Sequence, residues 1–465
     1  MDGRNSAGHF GPSWGAGRWG GGLAAGNYPT GGVFYYCAHP LVLAFWEGPG
    51  ADFTHDSLPR NEGARPIRPL ALYLVGTGSW FTAFGLQSVL FAWLVTMELR
   101  EPPQNIGVAQ MCLLIPATLF MLVGGSVADR FGPRRMSVLA QAAALLPVAW
   151  LLWVLLSDRL SFTNILLFAV GIGTVQAFVT PARDALLNQV AGTELQRTVM
   201  LTSMVQFATQ TIGFAVAIFA DRFGAQILVG AQLVTLLIGV VALWAIRVED
   251  EAPVSGAGVE HNLLRSLREG ASSVLRSPTM RSIVILNVAM GMFFMGAYIV
   301  GAPVLIREFY STTSRAIALV NIANSTGLVI MIMALLRFGT VHKPGLGLLA
   351  SQFCGALVLA CCIFPVSYAV FLGIIFLWGL CGGVAMSLSR AIMQEQAPPG
   401  QRGRIMSFYS FAMMGAGALG APLSGYLCEL LGPRQAFLIS AMLMLLVVVG
   451  VFLTGNLGRL RQTAA

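Results

Sequence analysis

From residue 70 onward, apolar residues come in long runs separated by short polar stretches, and no ten-residue alternation of apolar and polar positions recurs. Runs of roughly 20 apolar residues suffice for a helix to cross about 30 Å of hydrocarbon, and the missing alternation excludes a membrane β-barrel. The pattern predicts twelve helices. Six lie at 70–97, 107–127, 136–157, 162–181, 199–220 and 224–246. Six more follow a polar stretch, at 281–305, 316–336, 346–365, 367–388, 406–427 and 435–455. The expected fold class is an all-α membrane protein with twelve transmembrane helices. Pro116, Pro147, Pro303, Pro365 and Pro422 are expected to kink their helices.

Residues 1–69 read differently, with 14 Gly, three of the five His, three of the nine Trp and no helical period. The apolar run 33–46 is too short to span a bilayer. A basic start, apolar run and small-residue cleavage site do not occur in that order, so no signal peptide is recognisable. The expectation is a disordered cytoplasmic tail, with a mis-assigned translation start as the alternative. The rest divides into a six-helix half at 70–247, a linker at 248–280, a second half at 281–456 and a tail at 457–465. The linker holds Glu249-Asp250-Glu251 and then an amphipathic stretch at 263–275.

Composition narrows the function. Of 465 residues, 56% are apolar and only 10% charged, against the roughly 25% charged residues that a solvated surface carries. A soluble enzyme, a coiled coil and a disordered chain are thereby excluded, and the bilayer is the expected surrounding. The net charge of +8 does not point to nucleic acid, because 27 of the 28 basic residues are Arg set in short clusters between apolar runs. Loops after even-numbered helices, the stretch from Arg60 and the C-terminal tail carry 20 Lys and Arg, against six in the loops after odd-numbered helices. That bias places both termini and the 6–7 linker in the cytoplasm. The excess of Arg over Lys343 suggests a GC-rich genome, hence a bacterial inner (plasma) membrane. The seven Cys show no paired spacing, so neither a metal nor a disulfide is expected. No Walker motif is present, and no cofactor is expected.

The two halves match at a constant offset of 207 residues. Asp129-Arg130-Phe131-Gly132 falls opposite Leu336-Arg337-Phe338-Gly339, and Arg183 and Arg197 fall opposite Arg390 and Arg404. A parallel repeat of six-helix halves is a transporter architecture with its site between them. Loop 2–3 reads Gly124-Gly125-Ser126-Val127-Ala128-Asp129-Arg130-Phe131-Gly132-Pro133-Arg134-Arg135. It resembles the signature G-x-x-A-D-R-x-G-R-R of the major facilitator superfamily, with Pro133 at one basic position. The segment Thr180-Pro181-Ala182-Arg183-Asp184-Ala185-Leu186-Leu187 is similar to the P-A-R-x-A-L-L stretch of enterobactin-exporter-like secondary transporters (the transmembrane secretion effector branch). The drug/proton antiporter pattern is poorly met: 164–179 in helix 4 has no Arg, and helix 5 has Ile212-Gly213-Phe214-Ala215 in place of a glycine–proline motif.

The resemblance implies the major facilitator fold, two parallel-repeat six-helix bundles, with helices 1, 4, 7 and 10 around a central cavity. It also implies a cytoplasmic gate at Gly125, Asp129, Arg130, Gly132, Arg134, Arg135, Arg183 and Asp184, which latches the halves in one state. Small residues of helix 11, including Gly415, Gly417, Gly420, Ala421 and Gly425, suit an interface between moving halves. No ionisable group falls mid-helix, so the cavity is expected to be built from amides, hydroxyls and rings. Helical spacing groups Trp80, Phe84, Gln87 and Phe91 on helix 1, Gln176, Thr180 and Arg183 on helix 4, and Gln206 and Gln210 on helix 5. It likewise groups Asn287, Phe294 and Tyr298 on helix 7, and Asn321 with Asn324 on helix 8. Gln141, Gln232 and Gln352 fall in helices expected at the periphery.

The function these features favour is a monomeric secondary active transporter working by alternating access. It is expected to export a small amphipathic molecule, siderophore-like or drug-like, with protons as the candidate coupling ion and Asp184 or Asp129 as the titrating group. The alternatives are a lipid flippase, a transporter-fold sensor or, with less support, an integral-membrane enzyme.

Overall fold

The structure, a computed structural model, describes residues 68–191, 195–247, 263–310, 312–338, 341–398, 401–455 and 457. Residues 1–67 of the predicted tail, the acidic part of the linker and the last eight residues lie outside the described residues.

Helices fill all twelve predicted places. In the first half they are helix 1 (Pro69–Glu98), helix 2 (Pro103–Phe131), helix 3 (Pro133–Leu156), helix 4 (Phe162–Ala191), helix 5 (Leu195–Ala217) and helix 6 (Ala225–Trp244). In the second they are helix 7 (Pro278–Phe309), helix 8 (Ser314–Phe338), helix 9 (Pro344–Ile363), helix 10 (Tyr368–Gln396), helix 11 (Arg402–Leu431) and helix 12 (Pro433–Leu453). Among the described residues, eleven spans are long and apolar enough to cross a membrane; helix 5, with 23 residues, takes the remaining place. Pro103, Pro133, Pro278, Pro344 and Pro433 each sit in a first turn, where the absent N–H has no partner to lose and the fixed φ suits the helix.

The prolines act in three ways. Pro116 and Pro422 lie inside helices 2 and 11, and helix 3 breaks at Ala144, beside the carbonyl of Ala143 that the ring of Pro147 disfavours. Pro303 follows a wide π-turn at Ala297–Gly301 in helix 7. Pro365 differs from expectation: helix 9 has already closed in the 3₁₀ turn Cys361–Ile363, so Pro365 lies in the connection to helix 10 and kinks nothing. Helix 4 also runs ten residues past its predicted end, through Pro181 to Ala191, and helix 10 continues to Gln396. Neighbouring helices at this depth tolerate an internal proline. Arg183, Asp184 and Arg390 therefore stand on helices rather than in loops.

Packing repeats between the halves. Helix 1 lies against helix 5 as helix 7 lies against helix 11, and helix 2 against helix 4 as helix 8 against helix 10. The 207-residue register appears in atomic detail at Gly213 and Gly420. A Cβ on Gly213 would strike the Thr82 carbonyl and Gly85 Cα of helix 1, and one on Gly420 would strike the Met292 backbone of helix 7. Large apolar side chains such as Leu146, Trp244, Leu446 and Leu453 are exposed on helices 3, 6 and 12, the face a bilayer would cover.

The halves touch mainly through helix 2 with helix 11 and helix 5 with helix 8. Gly107 and Gly425 allow the first contact, since a Cβ on either would strike the Ala421 carbonyl or that of Pro103. The small residues of helix 11 thus divide: Gly425 faces the other half, whereas Gly417 and Gly420 face helix 7 of their own half. Hydrogen bonds between halves, among the described residues, gather at the end that carries loops 1–2, 5–6 and 7–8. Arg307 donates to the Glu101 carbonyl at 2.7 Å and the Thr96 carbonyl at 3.3 Å. Asp221 accepts from the Ser314 N–H at 2.9 Å and the Ser314 hydroxyl at 2.8 Å. Gln110 donates to the Ile299 carbonyl at 3.4 Å, one level deeper. The molecule is clamped at this end.

Candidate substrate cavity

A cavity of about 370 Å³ lies between the halves, beneath the clamped end. Helices 1, 2 and 5 supply one wall, with Phe84, Gln87, Ser88, Phe91, Gln110, Phe207, Gln210 and Phe214. Helices 7 and 8 supply the other, with Met295, Tyr298, Ile299, Asn321, Asn324 and Ser325. Its described lining holds no Asp, Glu, Lys, Arg or His. Five amides, three hydroxyls and a set of rings remain, a surface that can hydrogen-bond a neutral group and stack on an apolar one.

Local sequence explains several placements. Phe84, Gln87 and Phe91 recur at one turn of helix 1 and share the wall. Pro303 has no N–H to give the carbonyl four residues back, which is that of Ile299, and Gln110 from the other half takes that acceptor. The π-turns Met290–Met295 and Ala297–Gly301 widen helix 7 where Met295, Tyr298 and Ile299 reach the cavity. The Tyr298 hydroxyl donates to Asn321 Oδ1 at 2.8 Å, and its ring meets Trp378 edge-on at 5.9 Å between centroids.

Of the nine residues expected here, Gln87, Gln210, Tyr298 and Asn324 line the cavity. The other five stand elsewhere. Asn287 is buried and donates to the Tyr409 carbonyl at 3.2 Å, tying helix 7 to helix 11. Phe294 packs T-shaped on Trp378. Gln206 is half-buried one turn from Gln210, outside the lining. Trp80 and Gln176 border a separate, water-sized pocket of about 10 Å³ with Gln232. Helices 4 and 10 accordingly stand behind the cavity wall, and helices 2, 5 and 8 stand in it. Close backbone contacts explain this: Gly173 of helix 4 abuts the Leu113 carbonyl of helix 2, and Gly379 of helix 10 abuts that of Asn324. Gln110, Ser88 and Ser325 were missed by spacing, because a single polar residue in an apolar run does not reveal which neighbour it faces.

The supposedly peripheral amides are buried. Gln232 donates to Gln87 Oε1 at 3.2 Å, and Gln141 donates to Ser79 Oγ at 3.0 Å. Gln352 is 1% exposed, and neither of its side-chain polar atoms has a hydrogen-bond partner among the described residues.

At the opposite end lie the expected gate residues. Gly125, Asp129 and Arg130 lie outside the residues whose side chains are described. Gly132 closes helix 2 at φ 85°, a conformation that favours glycine. Arg134 donates to the Trp244 carbonyl at 2.7 Å, capping helix 6 within the same half, and Arg135 is exposed. Arg183 is 5% exposed, with its guanidinium 5.3 Å from the Trp80 ring centre and 5.4 Å from that of Phe81. This cation–π seat accompanies two nitrogens, Nε and Nη2, that have no hydrogen-bond partner among the described residues. Asp184 is exposed, next to Arg183 on helix 4.

Comparison with known proteins agrees with this architecture. Residues 65–463 match the family model described as transmembrane secretion effector. The multidrug efflux pump Tap of Mycolicibacterium fortuitum is 23% identical over 404 residues, covering 83% of this chain and 95% of that protein. Tap of Mycobacterium tuberculosis (strain ATCC 25618 / H37Rv) is 24% identical over 402 residues, covering 80% and 90%. Among solved structures, the nucleoside transporter NupG superposes with a TM-score of 0.68 at 11% identity, covering 83% of this chain and 98% of that one. The inward-open xylose transporter XylE from E. coli gives 0.61 at 14% identity, covering 82% and 94%. The motif, the twelve-helix repeat and the family match converge: the chain belongs to the transmembrane secretion effector family of major facilitator transporters.

Proposed function

We propose that this chain is a secondary active exporter that carries a small amphipathic molecule, drug-like or siderophore-like, across a bacterial inner membrane by alternating access. The observation that carries the reading is the uncharged cavity of about 370 Å³ between two repeated halves, closed at one end by inter-half hydrogen bonds. Its size suits a drug-sized ligand, for which pockets run roughly 300–1,000 Å³. The name multidrug efflux pump, borne by the Tap relatives, supports the drug-like class.

The roles divide by position. Gln87, Gln210, Tyr298 and Asn324, with Gln110 and Asn321, contact the substrate. Trp80, Gln176, Gln206, Asn287 and Phe294 support that wall from behind. Gly125, Asp129, Arg130, Gly132, Arg134, Arg135, Arg183 and Asp184 form the gate at the loop 2–3 end. The Arg bias supports a cytoplasmic location for that end and for both termini, which makes the clamped end external. A monomer of two halves, 70–247 and 281–456 joined by the linker, holds the whole site. Protons are the coupling ion in this reading, with Asp184 the carboxylate that exchanges them. One proton moving through about 100 mV supplies roughly 2.3 kcal/mol, enough for a nearly fifty-fold substrate gradient.

The test uses the purified full chain in proteoliposomes with a fluorescent amphipathic dye and an imposed pH gradient. Gradient-driven dye movement, lost in Gln210→Leu and uncoupled in Asp184→Asn, supports the reading. Movement of labelled lipid without dye transport would replace it with a flippase.

A further inference from the structure

The five residues Ala128-Asp129-Arg130-Phe131-Gly132 of loop 2–3 recur as Ala220-Asp221-Arg222-Phe223-Gly224 in loop 5–6. The copies match in backbone as well as in letters. Gly132 ends its segment at φ 85°, ψ 134° and Gly224 at φ 84°, ψ 154°, and each leads directly into the next helix. The preceding Phe131 and Phe223 are both exposed, at 57% and 49%. The flanks differ: Gly125 and Pro133-Arg134-Arg135 in one copy stand against Ala217 and Ala225-Gln226 in the other.

The loops are on opposite faces of the molecule, because an odd number of spans separates them. That placement fits a three-plus-three inverted repeat within each six-helix half, in which helix 2 corresponds to helix 5 and helix 8 to helix 11. In the second copy, the partner of the acid is visible. Asp221 reaches across to the other half and receives the Ser314 N–H on both carboxylate oxygens, at 3.1 and 2.9 Å, and the Ser314 hydroxyl at 2.8 Å. Ser314 is the first residue of helix 8, so the carboxylate satisfies orphan donors and meets the positive end of the helix dipole.

We propose that Asp221 is a gate residue of the transport cycle: it belongs to a second copy of the Ala-Asp-Arg-Phe-Gly core of loop 2–3 and latches the opposite face by capping helix 8 of the other half. The inverted repeat maps this contact onto Asp129 and the start of helix 11, so the two copies close the two faces in alternation. One motif then serves both states, and each latch forms as the other parts. The proposal rests on the alternating-access reading above.

The test measures distances between spin labels in the full chain in nanodiscs, with native cysteines replaced and labels at Ser161→Cys and Phe364→Cys. Both positions lie at the clamped end, in different halves and away from the latch. Asp221→Ala is expected to raise the ratio of separated to closed populations at least about tenfold, the scale of losing hydrogen bonds to a charged acceptor. Asp221→Asn, which keeps the shape and one acceptor oxygen, should fall between, and Asp129→Ala should move the ratio the other way. An unchanged distribution in both Asp221 variants, or a shift of the same sign from Asp221→Ala and Asp129→Ala, would overturn the assignment. If Asp221→Ala does not fold, Asp221→Asn and Ser314→Ala carry the comparison. Dye efflux by the unsubstituted chain is scored separately, so a failed latch with intact efflux removes only the gate, and latch-dependent distances without efflux remove only the exporter.

Discussion

Gln232 on helix 6 donates its side-chain amide to Gln87 Oε1 on helix 1 at 3.2 Å, and both residues are buried. Gln87 also lines the cavity, so this bond holds a cavity-wall side chain from behind. A hydrogen bond between membrane helices contributes about 0.6 kcal/mol, or nearly threefold in an equilibrium. Gln232→Leu is therefore expected to raise the transport KM about threefold with kcat kept, whereas Gln87→Leu also lowers kcat. Dye efflux at graded dye concentrations separates the two, and equal effects on kcat would refute the supporting role of Gln232.

Tyr298 offers a ring to Trp378 and a hydroxyl to Asn321. Tyr298→Phe removes only the second contact and should weaken dye binding about threefold. Tyr298→Ala removes the ring as well, worth a further 0.5–1.5 kcal/mol or so, and should cost about tenfold in total. Tryptophan fluorescence titration with the same dye reads both. Equal losses in the two variants would show that the ring is not in use.

Arg307 closes the clamped end by donating to two backbone carbonyls of the other half. Hydrogen bonds to a charged donor contribute about 1.5–3 kcal/mol, so Arg307→Gln should favour the opened state by at least about tenfold. A cysteine placed at Ser88 in the cavity should then react faster with an impermeant maleimide supplied on the clamped side. No gain in rate would remove Arg307 from the closure.

Gly213 and Gly230 separate packing from propensity. A side chain at Gly213 has nowhere to go between helices 1 and 5, whereas a Cβ at Gly230 meets nothing within 4 Å. Gly213→Val should abolish the monodisperse peak on size exclusion, and Gly230→Ala should leave it unchanged. Survival of Gly213→Val would contradict the backbone contact.

The sequence by itself determined the twelve spans and their two-fold repetition. Both are one-dimensional: bilayer thickness sets the length of an apolar run, and duplication leaves a constant offset, visible at Gly213 and Gly420 as well as at Arg183 and Arg390. It also indicated an uncharged lining for the cavity between the halves, since no acid or base falls mid-helix. What it left open was which amide faces which neighbour. Asn287 and Tyr298 occupy one stripe of helix 7, yet one braces helix 11 and the other reaches the cavity. The π-turn Met290–Met295 between them, and the one at Ala297–Gly301 that contains Tyr298, rotate that stripe, and no periodicity encodes such a rotation. Only the tertiary structure could place helices 2, 5 and 8 at the wall and helices 4 and 10 behind it. In a bilayer the tails solvate every apolar face alike, so hydropathy carries no sign of which face turns inward; glycine-mediated backbone contacts between particular helices make that choice.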